Sequence, residues 1–461
     1  MNIKLHTDSG TDSRNPHLAR RLGLFDATMI VMGGIIGAGI FTNPYVVAQK
    51  VHTPFLILGA WAVGGLIALA GAFIYAELSS QRPASGGQYV YLRDALHPSI
   101  AFVYGWSLLF VIQTGGMAAV ALIFAKHVFE LFGRQVTDFR AALLASIALA
   151  LLTIINCIGV RAGSVTQNVF MVLKLIAIAA LVGFGLTVVS APGTAGVSAV
   201  AGSSTTILHS LIAFGAALIP AQFAYGGWQT ACFVAGEVRE PRRNLPRGLL
   251  FGVLGVIAVY LAVNFVCVYT LGPEKLAQTE TPASAVMRLA LGDRGARFLA
   301  AGIAISTLGF LSQSMLTAPR VYFAMAEDGL FFKRLAWLNR ARVPAFAIAL
   351  QGILAIVITL VASRFEKILS YVVSVDVIFF GLTAVCVFVF RFRRSKSGAN
   401  DFFRIPGHPF TTIFFIAACC VITFSVIYSE PRNSAISFGI MLLGLPAYAL
   451  WARLRERRRP S

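Results

Sequence analysis

Gly33-Gly34-Ile35-Ile36-Gly37-Ala38-Gly39-Ile40-Phe41 is the stretch on which the reading of this chain turns. It lies within an apolar segment that runs from Leu24 to Ala48. Four glycines in seven residues oppose an uninterrupted helix, because each costs roughly 1 kcal/mol against alanine in a helix interior. In a membrane, a helix breaks only where the freed amides and carbonyls are buried in protein or line a cavity. A break here therefore marks a candidate ligand site. The plainer alternative is a packing face, in which small residues let neighbouring helices approach. The stretch alone does not separate the two.

Composition sets the class. Of 461 residues, 57% are hydrophobic and 12% charged, with a mean hydropathy of +0.77. Soluble chains are about 45–50% apolar and about 25% charged. The chain reads as an all-α polytopic membrane protein, because its apolar runs have the length of spanning helices rather than of barrel strands. A net charge of +19 would suggest nucleic acid in a soluble protein. Here most of the 38 Lys and Arg fall in one set of loops and tails, the bias that keeps basic loops inside. The expected partner is the lipid bilayer, with no nucleic acid. The expected location is the cell (inner) membrane, multi-pass, with both termini cytoplasmic. The first 23 residues lack the layout of a cleaved signal. The arginine run from Arg453 to Arg459 reads as an anchor at the inner leaflet. The six cysteines show no metal-like spacing and read as small buried apolar residues; the histidines are scattered. Neither a metal nor a cofactor is expected.

Twelve transmembrane helices are expected, over 24–48, 55–80, 98–126, 141–159, 165–190, 208–236, a seventh ending at Leu271, 298–325, 345–362, 368–390, 410–428 and 435–454. Residues 84–97 read as a cytoplasmic interfacial helix, Gly272 to Arg297 as a long external loop, and 239–247 and 391–404 as basic loops. The sixth segment contains a second interruption, Phe223-Ala224-Tyr225-Gly226-Gly227-Trp228. An odd number of spans per repeat gives the two halves opposite topology, and paired broken helices in corresponding places point to an inverted-repeat transporter. The implied organisation is a cytoplasmic tail over 1–23, a first repeat over 24–190 and an external linker over 191–206. A second repeat follows over 207–390, then helices 11–12 and a basic C-terminus over 391–461.

The two breaks together suggest chemistry. The N-terminal end of a half-helix attracts anions, so the Gly37-Ala38-Gly39 amides suit a carboxylate. Carbonyls near Phe223, Ala224 and Tyr225 suit an ammonium. Ile36, Ile40, Gly226, Gly227 and Gln229 complete the candidate substrate-binding set. Such a site reads the main chain of an amino acid and leaves its side chain to a pocket.

Two intramembrane charges stand out. Lys174 lies inside the fifth span, where insertion costs at least about 2.5 kcal/mol, so it should face a partner or a cavity. About ten residues separate it from a loop at Arg161 to Ser164, too far for snorkelling at about 1.5 Å per residue. Asp376 in the tenth span is either an ammonium partner or proton carrier for the substrate, or a structural hydrogen-bonding group. Asp26 and Glu77, near span ends, read as structural. Glu237 is expected to pair with an arginine in a cytoplasmic gate.

The residues also show a family resemblance. Gly34-Ile35-Ile36-Gly37-Ala38-Gly39-Ile40-Phe41 resembles the first-helix signature of the amino acid–polyamine–organocation (APC) superfamily. Phe223 to Trp228, followed by Gly236-Glu237-Val238-Arg239-Glu240-Pro241, is similar to the L-type amino acid transporter branch. Tyr104-Gly105-Trp106 and the run from Pro319 to Gly329 fit the wider family. The resemblance implies a LeuT-like 5+5 inverted repeat with broken helices 1 and 6, two further helices, and alternating access around a midplane site gated by Phe223. It implies that Lys174 stands in the place of a sodium ion, bonding first-helix carbonyls near the break and the eighth-helix hydroxyls Ser312 and Ser314. Gln229 departs from the asparagine often found after the tryptophan. No cysteine lies between the third and fourth spans, so no disulfide-linked heavy chain is expected.

The function expected is secondary active transport of neutral L-amino acids, sodium-independent, by exchange or with protons. A polyamine or cationic amino acid carrier of the same fold is the alternative within transport, and a non-transporting amino acid sensor would use the same site. An enzyme would need clustered ionisable groups, and a channel a filter motif; neither is visible.

Overall fold

The computed structural model describes residues 18, 20–133, 137–189, 207–361, 365–394, 402–429 and 431–456. The regular structure among them is helical, apart from one isolated parallel bridge between Leu22 and Val238. Ten helices are long and apolar enough to cross a bilayer, and a bent pair makes an eleventh span. That pair is the first span, Leu24–Ile35 and Gly39–Ala48, meeting at 42°. The second to eighth spans are Pro54–Gln81, Pro98–Leu131, Asp138–Ile158, Val160–Val189, Leu211–Glu237, Pro241–Leu276 and Pro282–Glu327. The shorter apolar helix Ala345–Val361 takes the ninth place, followed by Phe365–Arg394, Phe410–Ser429 and Pro431–Leu442 with Gly444–Glu456.

Local chemistry explains several starts. Thr53 and Thr137 each accept a backbone amide at their helix N-termini, from Leu56 at 3.3 Å and Arg140 at 3.4 Å. Proline opens the second, third, seventh and eighth spans, where its missing N–H has no helical partner to lose. The fourth span shows its lipid face as Leu143, Ile147, Leu151, Ile154 and Ile158, exposed at helical spacing.

Several sequence expectations change. The external loop from Gly272 to Arg297 is mostly helix: the seventh span runs on to Leu276 across a kink at Gly272, and the next helix starts at Pro282. The loop at Arg161 to Ser164 is also helix, since the fifth span begins at Val160, directly after Gly159. Polar residues misled the reading because short helical extensions at membrane ends tolerate them. The interfacial helix is Gln88–Ala95, but Gln88 to Leu92 are buried under protein rather than resting on lipid. The Gly86 amide bonds the Phe233 carbonyl at 2.9 Å, which tucks the segment under the sixth span. In the second basic stretch, Arg391 to Arg394 continue the tenth span. The linker 191–206 and most of the tail 1–23 lie outside the described residues.

Charged side chains close the face on which the first span begins. Glu237 and Arg320 are fully buried and paired, with Nε–Oε1 at 2.6 Å and Nη2–Oε2 at 3.2 Å. Arg391 donates two bonds to Glu77, at 2.8 and 2.6 Å, and the Ile405 amide donates a third at 2.8 Å. Asp328 accepts from Arg93 at 2.6 Å and from the Tyr89 hydroxyl at 2.7 Å. Burial disfavours the charge on Arg93, but the Asp328 carboxylate outweighs it and drives the guanidinium pKa upward. The Arg21 and Leu22 amides donate to the Glu237 carbonyl at 2.9 and 3.0 Å, which draws the incoming chain across this end.

Candidate functional site

The first break spans Ile36, Gly37 and Ala38. Ile36 leaves the helical region at φ −76° and ψ 90°, and its amide still bonds the Met32 carbonyl at 2.8 Å. The Gly37 amide turns back to the Ile35 carbonyl at 2.9 Å, so it is already used. The amides left without a backbone acceptor among the described residues are those of Ala38, Gly39 and Ile40, at the start of the second half-helix. This shifts the expected anion cradle by one residue. It remains a helix N-terminus with unmade hydrogen bonds.

The second break falls at Gly226 and Gly227. Gly227 takes φ 105°, a left-handed conformation that disfavours any side chain. The Gln229 side-chain oxygen accepts the Gly227 amide at 3.1 Å, and the Thr230 hydroxyl donates to the Gly227 carbonyl at 2.6 Å. Gln313 of the eighth span donates to Thr230 at 2.5 Å. Beyond the break, Trp228–Glu237 is wound as 3₁₀ rather than α-helix, with a kink at Val234.

The two breaks touch. A Cβ added at Gly34 would lie 2.6 Å from the Gly227 carbonyl oxygen, closer than such atoms ever come. Gly39 and Gly226, the positions most conspicuous in the sequence, are less confined: their nearest neighbours would stand at 3.3 and 3.4 Å. Gly34→Ala and Gly227→Ala are therefore expected to abolish exchange or folding, while Gly226→Ala retains folded protein. Size-exclusion profiles in detergent and proteoliposome uptake of the three variants check this.

Three groups pin the broken backbone. Lys174, fully buried, donates from Nζ to the Ile36 carbonyl. Ser306 donates to the Gly37 carbonyl at 3.2 Å. The Tyr260 hydroxyl lies 3.0 Å from the Ile35 carbonyl and 3.1 Å from that of Ala224, bridging one break to the other. The expected eighth-helix hydroxyls are corrected: among the described residues, neither Ser312 nor Ser314 bonds Lys174 or the break, and neither buried Oγ atom has a partner. The helix turns Gly309 toward Lys174, where an added Cβ would meet Nζ at 3.5 Å, and Ser306, one turn earlier, reaches the break.

A cavity of about 150 Å³ lies between the breaks and the third, eighth, tenth and eleventh spans. Gly37, Ala38 and Gly39 form one side of it; Phe223, Ala224, Gly226, Gly227 and Gln229 form another. Ser314 and Asp376 also face it. Ile36, Ile40, Tyr225, Lys174 and Ser312 do not. The Ile36 and Ile40 side chains are fully buried in protein. Tyr225 points away, its ring wedged against Trp61 and Tyr260 with centroids 5.9 and 4.9 Å apart, because one residue rotates a helix by about 100° relative to Ala224.

Sequence reasoning missed Tyr260, Ser306 and Thr230. Tyr260 had a legible signal: with Asn264 four residues later it forms the polar stripe of an otherwise apolar seventh span. It also missed that the third span contains a π-helical turn, Leu108–Ile112, a feature frequent at functional sites. That turn delivers Ile112 and Gln113 to the cavity wall, followed by Gly116, beyond whose missing side chain the space is open. Trp228, set aside as one aromatic among many, stacks on Phe380 at 5.4 Å and helps close the cavity.

Comparison with known proteins finds relatives along most of the chain. The family model described as amino acid permease matches residues 22–451. The serine/threonine exchanger SteT of Bacillus subtilis is 30% identical over 435 residues, covering 94% of this chain and 96% of that protein. The large neutral amino acids transporter small subunit 2 of Oryctolagus cuniculus is 30% identical over 94% of this chain and 80% of its own length. The b(0,+)-type amino acid transporter 1 of the same animal is 30% identical over 84% of this chain and 79% of its own.

Proposed function

The chain belongs to the amino acid permease family, and from that premise we propose that it is a secondary active amino acid transporter working as a sodium-independent exchanger. The observation that carries the reading is the pair of touching breaks, with free amides at Ala38 and Gly39 on one side of a cavity and the second break on the other. The amides bind the α-carboxylate and the carbonyl-rich turn at Phe223 to Gly227 takes the α-ammonium. Both groups are common to every amino acid, so the main chain supplies affinity and the remaining walls supply selectivity. Phe223, at the cavity edge, is the aromatic gate.

Lys174 acts as a fixed cation where a sodium-coupled relative would need an ion. Its bond to Ile36 holds the first break open without a bound metal. Glu237 and Arg320 hold the opposite end shut in this conformation, and alternating access requires that pair to part. The substrates are L-amino acids, neutral ones in the first reading and cationic ones in the alternative; their side chains are narrowed further below. The protein resides in the cell membrane with both termini cytoplasmic, as the basic loops favour. It works without a disulfide-linked heavy chain, because the segment between the third and fourth spans has no cysteine.

The test is counterflow in proteoliposomes loaded with unlabelled amino acid. Labelled amino acid is expected to accumulate only when the lumen contains a substrate, with the same rate in sodium and in choline buffers. Uptake that rises with external sodium contradicts the role given to Lys174. Saturable binding without counterflow converts the reading to a sensor.

A further inference from the structure

We propose that Asp376 reads the side chain of the transported amino acid, and that the preferred substrates are amino acids whose side chain ends in a hydrogen-bond donor. The inference rests on the transporter reading above and names the substrate class of that same site.

The breaks occupy the main-chain groups of the ligand, so its side chain leaves toward the facing wall. That wall is built from the third span at Gln113 and Gly116, the tenth at Asp376, Val377 and Phe380, and the eleventh. Several polar side chains face the cavity, but most already serve the protein. Asn43 donates to the Pro220 carbonyl at 2.7 Å, and Gln222 to that of Gly64 at 3.0 Å. Gln229 accepts from the Gly227 amide, and Gln313 donates to Thr230. Ser314 and Asp376 are not so engaged, and of the two only Asp376 can carry a charge. Its Oδ1 is buried and has no hydrogen-bond partner among the described residues.

A carboxylate inside a membrane protein demands a partner, and none of the described cations supplies one. Lys174 is engaged with Ile36 and does not reach the cavity surface. Arg320 and Arg391 are bound to Glu237 and Glu77. The facing wall therefore presents the Asp376 carboxyl group in an otherwise apolar surround of Ile112, Val377 and Phe380. An apolar side chain leaves this acceptor desolvated and unmet. A hydroxyl, amide or ammonium meets it, and an ammonium meets it best. A site built to bond a substrate donor rejects the analogue that lacks it, because its own buried group is then left unpaired.

The test uses matched pairs of equal size: threonine against valine, and ornithine against norleucine. Competition for counterflow and thermal shift of the detergent-purified full chain are both measured, for wild type and Asp376→Asn. Wild type is expected to favour the donor member of each pair by roughly tenfold or more, the range for a hydrogen bond to a charged group. In the variant the ornithine preference should fall at least roughly tenfold. Wild type that treats the pairs alike overturns the proposal without need of any variant. A variant that keeps the preference and loses only pH dependence also overturns it, making Asp376 a proton carrier instead. A chain that exchanges no amino acid overturns the transporter reading and this one with it.

Discussion

Lys174→Met is expected to lower substrate affinity by roughly ten- to hundred-fold while leaving a folded protein, since a hydrogen bond to a charged group contributes about 1.5–3 kcal/mol. The loss arises at a distance from the ligand. Lys174 does not face the cavity; it holds the Ile36 carbonyl, and Ser306 and Tyr260 hold the carbonyls on either side of it. Methionine keeps the length of the side chain and removes the donor, so Ile36 is left with a buried, unmet oxygen. The first break then closes toward ordinary helix, and the Ala38, Gly39 and Ile40 amides turn away from the carboxylate they are set to receive. Titration of a substrate into purified protein reads the affinity, and a melting curve without ligand reads the fold. Unchanged affinity in the methionine variant would remove Lys174 from the coupling machinery.

The second large effect is expected at Glu237 and Arg320. Both are fully buried, and the pair is joined by two hydrogen bonds. Removing one partner of such a pair strands the other charge and costs about 3–5 kcal/mol, while removing both together is often nearly neutral. Glu237→Gln and Arg320→Met are each expected to lower the thermal midpoint sharply, and Glu237→Leu with Arg320→Met to recover most of it. The double variant should still differ from wild type in one respect. With no ion pair across the closed end, a cysteine placed at Ala235 should react faster with a membrane-impermeant thiol reagent added from that side. Single variants as stable as wild type would show that the pair is not the latch.

What could be read from the chain, and what could not, divides along physical lines. The membrane class followed from composition, and the first break from Gly33, Gly34, Gly37 and Gly39, because backbone propensity is local. The second break followed from Gly226 and Gly227 for the same reason. The meeting of Gly34 with Gly227 is a contact across 193 positions of sequence, and no local pattern reports it. The assignment of Ser312 and Ser314 failed because hydroxyls in an apolar helix show only that a polar partner is near, not which turn faces it. Tyr225 sat inside the right motif and on the wrong side of the helix. Polar stretches such as 272–297 read as loops although they fold as helix, since a helix end outside the bilayer carries no hydropathy signature. Asp376 was legible as an oddity; its place on the cavity wall was not.

The winding of the sixth span has a consequence in length. Trp228 to Glu237 hold a 3₁₀ winding that is interrupted by a kink at Val234. A 3₁₀ helix rises about 2.0 Å per residue against about 1.5 Å in α-helical form, so the stretch before the kink, Trp228 to Phe233, stands about 3 Å longer than the commoner winding would make it. A segment wound this way shortens when it rewinds, and that movement draws Glu237 away from Arg320.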